Sequence, residues 1–412
     1  MTSSGVRLAR ESVRTTAWAF CGLGFSFASG IASARMLGPH DRGSVAVAVT
    51  LVGLGTLLSA LGTNVSLRVY LPTDPRVTIP LYWRLSSKLA LLSLALLIPT
   101  VLIVASSVDR ALAHPLTLAA IAALIVTTFF ANQTADCLNA LHQSARSAQL
   151  NAIGFLMTAV PMLVCWLAGL GMKGAILAYA CGFALRVALG RSWLRRLVDR
   201  AEPTAGGGER LLVRAGIRLL GMIFGQAVLI RADQLAVGLL IGSHAAGLYA
   251  VAATPAGILT VLGASLGQVT FAEAAHGSLT RQLLVRQTAV AAGLTGAAAL
   301  AGVLLLPWVL PALFGREFAG SVSVAQALLG VQVLAAAYLV VSRAVAGYGM
   351  ISWAGSSGVL GGLAIIAASL LLIPRFGLFG AAAGSAAAFG LMIAYLVLGL
   401  ARTRPWLRSE AL

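Results

Sequence analysis

Apolar runs of about twenty residues recur from one end of this chain to the other, and their length restricts the fold more than any other feature. Leu89 to Ala105 and Ala289 to Leu306 are two such runs, and neither carries a charge. A helix rises about 1.5 Å per residue, so runs of this length match the hydrocarbon thickness of a bilayer. Of 412 residues, 59% are hydrophobic and only 10% are charged, too apolar a balance for a water-soluble protein. In lipid every backbone amide must be paired within the protein, which leaves helices or a closed barrel. Barrel strands alternate apolar and polar residues. These runs do not alternate, so the chain is expected to be an all-α integral membrane protein.

Twelve spans are expected, at 15–37, 44–70, 86–107, 115–139, 148–170, 174–194, 215–241, 245–271, 287–310, 320–345, 353–374 and 377–400. Connections as short as Gly171-Met172-Lys173 make neighbouring spans antiparallel. The net charge of +17 would suggest nucleic acid in a soluble protein, but here topology accounts for it and no nucleic-acid partner is expected. With the N-terminus placed inside, cytoplasmic segments hold nineteen Lys and Arg and outer segments five. The other five (Arg35, Arg68, Arg186, Arg231 and Arg343) lie within spans or at their edges. That bias puts both termini in the cytoplasm, which requires an even number of spans. Four cysteines lie in apolar runs with no close pair and read as small core residues.

The chain also repeats itself. Gly38, His40, Gly43, Ala46, Val47 and Ala48 reappear 204 residues later as Gly242, His244, Gly247, Ala250, Val251 and Ala252. Gly171, Gly174, Ala175, Ala180, Phe183 and Leu185 reappear 206 residues later as Gly377, Gly380, Ala381, Ala386, Phe389 and Leu391. Two matches at nearly one offset indicate a duplicated unit of about two hundred residues, and in so apolar a chain a two-lobed transporter. The expected division is an N-terminal lobe at 1–190, a cytoplasmic linker at 191–214 containing Gly206-Gly207-Gly208, and a C-terminal lobe at 215–412. With six spans each, the two halves enter the membrane in the same sense.

Polar residues inside spans are the candidates for function. Arg231 and Asp233 in the seventh span cost about 5–7 kcal/mol together on insertion scales, against about 4–8 kcal/mol returned by the apolar residues of that span. Such a span needs neighbours or a wet cavity. The two residues lie about 200° apart around a helix, so one can face a cavity while the other is held by its own lobe; an interhelical ion pair is the alternative. Gln234 follows them. In the fourth span Asn132, Asp136, Asn139 and Gln143 are spaced four, three and four, on one helical face; the alternative there is a helix emerging into water. Arg35 ends the first span and Arg68 the second, one turn after Asn64. Arg343 ends the tenth, on the same face as Gln332. Each arginine alone suits snorkelling to headgroups; with Arg231 they form a possible cationic lining for phosphate, which the planar guanidinium binds through paired hydrogen bonds. His40 and His244 read as turn residues, and no metal-spaced His/Cys cluster or nucleotide loop occurs.

Ala34-Arg35-Met36-Leu37-Gly38-Pro39 followed by Gly43 is similar to the first-span signature of bacterial polysaccharide-biosynthesis flippases. These belong to the multidrug/oligosaccharidyl-lipid/polysaccharide (MOP) exporter superfamily. Arg231-Ala232-Asp233-Gln234-Leu235, then Gly238, Gly242 and Gly247 to Ala252, resembles the seventh-to-eighth span signature, and Phe314-Gly315-Arg316-Glu317-Phe318 its Phe-Gly-x-x-Phe turn. The resemblance implies two pseudo-symmetric six-helix lobes, MATE-like, around a cavity that is cationic in the lipid-linked sugar flippases. It implies alternating access that turns an undecaprenyl-pyrophosphate-linked oligosaccharide from the inner to the outer leaflet of the bacterial cytoplasmic membrane. Some relatives have fourteen spans; with twelve, this chain lacks the extra pair that lipid II flippases use as a lipid groove.

On this reading the protein is a flippase and not an enzyme, with glycosyltransferases and a polymerase as possible working partners. Arg231, Arg35, Arg68 and Arg343 are the candidate pyrophosphate contacts. Asp233 and Asp136 would couple transport or orient the arginines, and Asn64, Asn132, Asn139, Gln234 and Gln332 would line the path. No cofactor is expected beyond a coupling ion, H⁺ or Na⁺. A cation-coupled multidrug exporter of the same superfamily ranks second, because it needs a cavity carboxylate and the first span has none. A membrane glycosyltransferase or polymerase ranks third, lacking acidic catalytic groups and a long outer loop.

Overall fold

A computed structural model describes residues 3–70, 75–141, 143–198 and 209–403. Every regular element among them is helical. The helices are α1 (Ser3–Ser59), α2 (Thr63–Tyr70), α3 (Pro75–Ser107), α4 (Pro115–Ala140), α5 (Ser144–Leu167), α6 (Gly171–Val198), α7 (Glu209–Ile241), α8 (Ser243–Ala275), α9 (Arg281–Phe314), α10 (Ser321–Gly347), α11 (Ile351–Phe376) and α12 (Leu378–Thr403). Ten helical stretches among the described residues are long and apolar enough to cross a membrane. One of them, Arg14–Ser59, is two crossings joined at Gly38, where φ is 67° and ψ 177°. Pro39 follows and opens the second crossing, where its missing N–H costs nothing. With α7, 33 residues long, the chain makes twelve crossings, and the all-α integral membrane fold stands.

The duplication reaches the backbone. Gly242, the repeat of Gly38, caps α8 with φ 109° and ψ 177°. Both positions need the left-handed φ that glycine adopts without a Cβ clash. The repeated Gly171 and Gly377 also have positive φ, 51° and 58°. Single 3-10 turns at Arg110–Ala113 and Arg316–Phe318 occupy the same connection in each half.

One difference separates the halves. The second span does not run unbroken from 44 to 70. It stops at Ser59, passes through Leu61 (φ 49°) and Gly62 (φ 70°), and restarts as α2. Its repeat, α8, continues for 33 residues through Pro255. The break meets α7: a Cβ on Gly216 would stand 2.5 Å from the Leu61 carbonyl oxygen. The Ser66 hydroxyl donates to the Leu212 carbonyl at 2.8 Å. Two glycines thus permit a backbone-on-backbone approach that larger residues would block.

The chain forms two compact units, Met1–Leu220 and Gly221–Leu412, so the first three turns of α7 group with the first unit. The range 191–214 is helical at both ends, since α6 reaches Val198 and α7 starts at Glu209. Its centre lies outside the described residues. In the first unit α1 lies along α5, α4 along α6, and α5 along α6. The core there includes Leu67, Tyr82, Phe129, Leu138 and Leu150. In the second unit α10 packs on α8, α9 and α12, and α11 on α12. Val340, Ala344, Ile365, Met392 and Leu396 form its core. Large apolar side chains also point outward, with Ile103, Leu167 and Trp308 at 71%, 73% and 73% exposed, as lipid-facing surfaces require.

Candidate functional site

Asp233 is the most fully specified of the polar residues inside the spans. The Tyr249 hydroxyl of α8 donates to its Oδ2 at 2.6 Å, and the Ser385 hydroxyl of α12 to the same oxygen at 3.3 Å. The backbone N–H of Gln234 donates to Oδ1 at 2.7 Å. Tyr249 is only 1% exposed, so this carboxylate ties α7 to the interior of its own unit. Arg231, two residues earlier, is exposed. Two positions on a helix differ by about 200°, and the pair divides accordingly. The duplication does not reproduce the cluster: at the same offsets the first half has Ser29 for Asp233, Val45 for Tyr249 and Tyr179 for Ser385.

The candidate arginines lie on four helices, α1, α2, α7 and α10. Arg35 lies three residues before the Gly38 break, whereas Arg68 lies on α2, beyond the far end of α1; its side chain is outside the described residues. The crossing between them, Gly38 to Ser59, is about 30 Å long. In the second unit Arg231 stands ten residues before the end of α7 and Arg343 four before the end of α10. Those two helix ends lie on opposite sides of an antiparallel bundle.

Asn132, Asp136 and Asn139 share a half-buried face of α4, while Gln133, Thr134, Cys137 and Leu138 around them are buried. Gln143 does not extend that stripe. The helix ends at Ala140, and Gln143 instead precedes α5 as its N-cap. The Asn64 Oδ1 is buried and accepts no hydrogen bond among the described residues. Gln332 accepts from the Thr260 hydroxyl at 2.9 Å, which joins α8 to α10. Close helix packing accompanies that bond: a Cβ on Gly263 would lie 2.7 Å from the Ala336 Cα.

Two features escaped the sequence reading. Arg186 of α6 is 7% exposed and donates through Nη2 to the Asn151 side chain of α5. Its guanidinium lies 5.1 Å from the centre of the Phe183 ring, and Gly154 leaves room for its stem. Its position near the middle of a span was the available signal. In the second unit Thr270 donates to Gln287 at 2.8 Å, and Gln287 donates in turn to Glu273, linking α8 to α9. Here four-residue spacing gave no cue, because the partners come from different helices. Of the four cysteines, Cys137 and Cys165 are buried and Cys21 and Cys181 exposed, all as free thiols.

This arrangement of helices in two repeated halves is shared with solved structures of MOP superfamily transporters. The family model for polysaccharide biosynthesis proteins matches residues 15–271, and the chain belongs to that family. Among solved structures, an inward-facing multidrug resistance MATE family transporter of the MOP superfamily is similar, with a TM-score of 0.69, 14% identity, and 97% and 98% of the two chains covered. The lipid II flippase MurJ in an inward closed conformation gives a TM-score of 0.68 at 13% identity, with 98% and 90% covered. A MOP superfamily transporter from Pyrococcus furiosus, for which a reversed binding-pocket polarity suggests a different function, gives 0.59 at 16% identity, with 95% of each chain covered. No curated protein matches the sequence. These identities establish the shared fold.

Proposed function

We propose that the protein carries a polyprenyl-pyrophosphate-linked oligosaccharide from the inner to the outer leaflet by alternating access, for the assembly of a cell-surface polysaccharide. The observation that carries this reading is membership of the polysaccharide biosynthesis family. The bacterial cytoplasmic membrane is its site, with both termini inside on the distribution of Lys and Arg. Arg231 is the leading pyrophosphate contact. Arg35, Arg68 and Arg343 are further candidate contacts for the diphosphate. Asn64, Asn132, Asn139, Gln234 and Gln332 line the path, and Asp136 is the candidate for coupling to H⁺ or Na⁺. Asp233 pins α7 to α8 and α12 and so fixes where Arg231 points. Three donors already use most of the acceptor capacity of its carboxylate.

The fold leaves a cation-coupled multidrug exporter as the second reading, because the MATE transporter and MurJ are about equally similar. Complementation of a deletion strain separates the two. Surface polysaccharide, normalised to membrane protein, is expected to fall with Arg231→Lys, which keeps charge but loses the planar fork, and further with Arg231→Ala. Full polysaccharide from Arg231→Ala removes Arg231 from the site. Normal polysaccharide in the deletion strain, with new sensitivity to cationic dyes, favours the exporter.

A further inference from the structure

A cavity of about 260 Å³ opens where α5 begins and α6 ends, lined by Arg146, Gln149, Trp193, Arg196 and Leu197. Arg146 and Gln149 lie three residues apart on α5; Trp193, Arg196 and Leu197 follow i, i+3, i+4 spacing on α6. Each set therefore presents one helical face, and the cavity lies between the two faces. Both arginines are exposed, while Gln149, Trp193 and Leu197 are half-buried. None of the five is acidic. We propose that this cavity binds the phosphate of an anionic phospholipid headgroup, a site separate from the substrate contacts proposed above.

The chemistry of the lining carries the assignment. Two guanidinium groups offer paired, charge-assisted hydrogen bonds to phosphate oxygens, and the Gln149 amide adds a neutral donor. Trp193 and Leu197 provide an apolar wall that a free phosphate would not use but the glycerol and upper acyl region of a lipid would. The position agrees, because these residues occupy the last turns of membrane-spanning α6 and the first turns of α5. Tryptophan and arginine there stand at headgroup depth. The proposed orientation puts this end at the cytoplasmic leaflet, which carries a negative surface potential where anionic lipids are enriched. Size argues against an oligosaccharide, since pockets for drug-sized ligands begin at about 300 Å³. Arg191 takes no part: its guanidinium lies 4.4 Å from the centre of the Trp83 ring, outside the lining.

The test is a titration of the purified protein with phosphatidylglycerol in phosphatidylcholine micelles, followed by the thermal midpoint. R146Q/R196Q is expected to weaken the apparent affinity at least tenfold. A charge-matched pair, R195Q/R402Q, removes two exposed arginines outside the cavity and is expected to weaken it less than threefold. Equal weakening by both pairs would reduce the effect to general surface charge and overturn the site. Stabilisation of equal size by inorganic phosphate alone would overturn the lipid as its source. Should R146Q/R196Q melt lower in phosphatidylcholine alone, R146K/R196K carries the test, and an unchanged affinity in that variant overturns the proposal. None of these residues is a proposed substrate contact, so loss of lipid binding with normal export separates this site from the flippase reading.

Discussion

Tyr249→Phe isolates one bond in the Asp233 cluster. The ring is fully enclosed, and phenylalanine keeps its shape, so the only group removed is the hydroxyl 2.6 Å from Asp233 Oδ2. A hydrogen bond to a charged group contributes about 1.5–3 kcal/mol, against about 0.5–1.5 kcal/mol for a neutral one. Ser385 reaches the same oxygen at 3.3 Å, a longer bond, so Ser385→Ala is expected to cost less than Tyr249→Phe. For a unit of this size each kcal/mol corresponds to about 2–4 °C in melting temperature, so Tyr249→Phe is expected to lower the midpoint by about 3–12 °C. The assay is thermal unfolding of the purified protein in detergent, run on Tyr249→Phe, Asp233→Asn and the double variant. Because the two groups are in contact, the double variant is expected to cost at least 0.5 kcal/mol less than the two single changes added together. A shift below about 1 °C, or additivity within about 0.3 kcal/mol, would refute the view that this carboxylate anchors α7 through Tyr249.

Two further outcomes are expected. Asn151→Ala strips a buried guanidinium of its amide acceptor and is expected to cost about 1.5–3 kcal/mol in the same melting assay, with Arg186→Met/Asn151→Leu recovering most of the loss; equal destabilisation by both would refute the stranded guanidinium as the source of the loss. His244→Cys, at an exposed position beside the α7–α8 junction, is expected to react with an impermeant thiol reagent from outside intact cells once Cys21 and Cys181 are replaced by serine; labelling only after the cells are opened would invert the proposed topology.

Helix number, membrane residence and the duplication were legible in the residues themselves. Lipid leaves the backbone no partner but itself, so a long apolar run has only one way to pair its amides. The repeated glycines were equally readable, because Gly38 and Gly242 mark the same left-handed junction in each half. Helical spacing also put Asn132, Asp136 and Asn139 on one face of α4. It failed one step later at Gln143, because periodicity alone does not show that a helix has ended.

The tertiary structure decided what joins residues far apart in sequence. Asp233 meets Ser385 across 152 positions, and Thr260 meets Gln332 across 72. The break at Leu61 and Gly62 exists where α7 brings Gly216 against it, a contact invisible from either segment alone. Arg186 looked like one more charge in a span until Asn151 came beside it from α5. The sequence determined that polar groups had to be satisfied inside the membrane. Which group satisfies which follows from how the helices turn and pack, because hydrogen bonds act over about 3 Å and chain spacing does not fix distances that small.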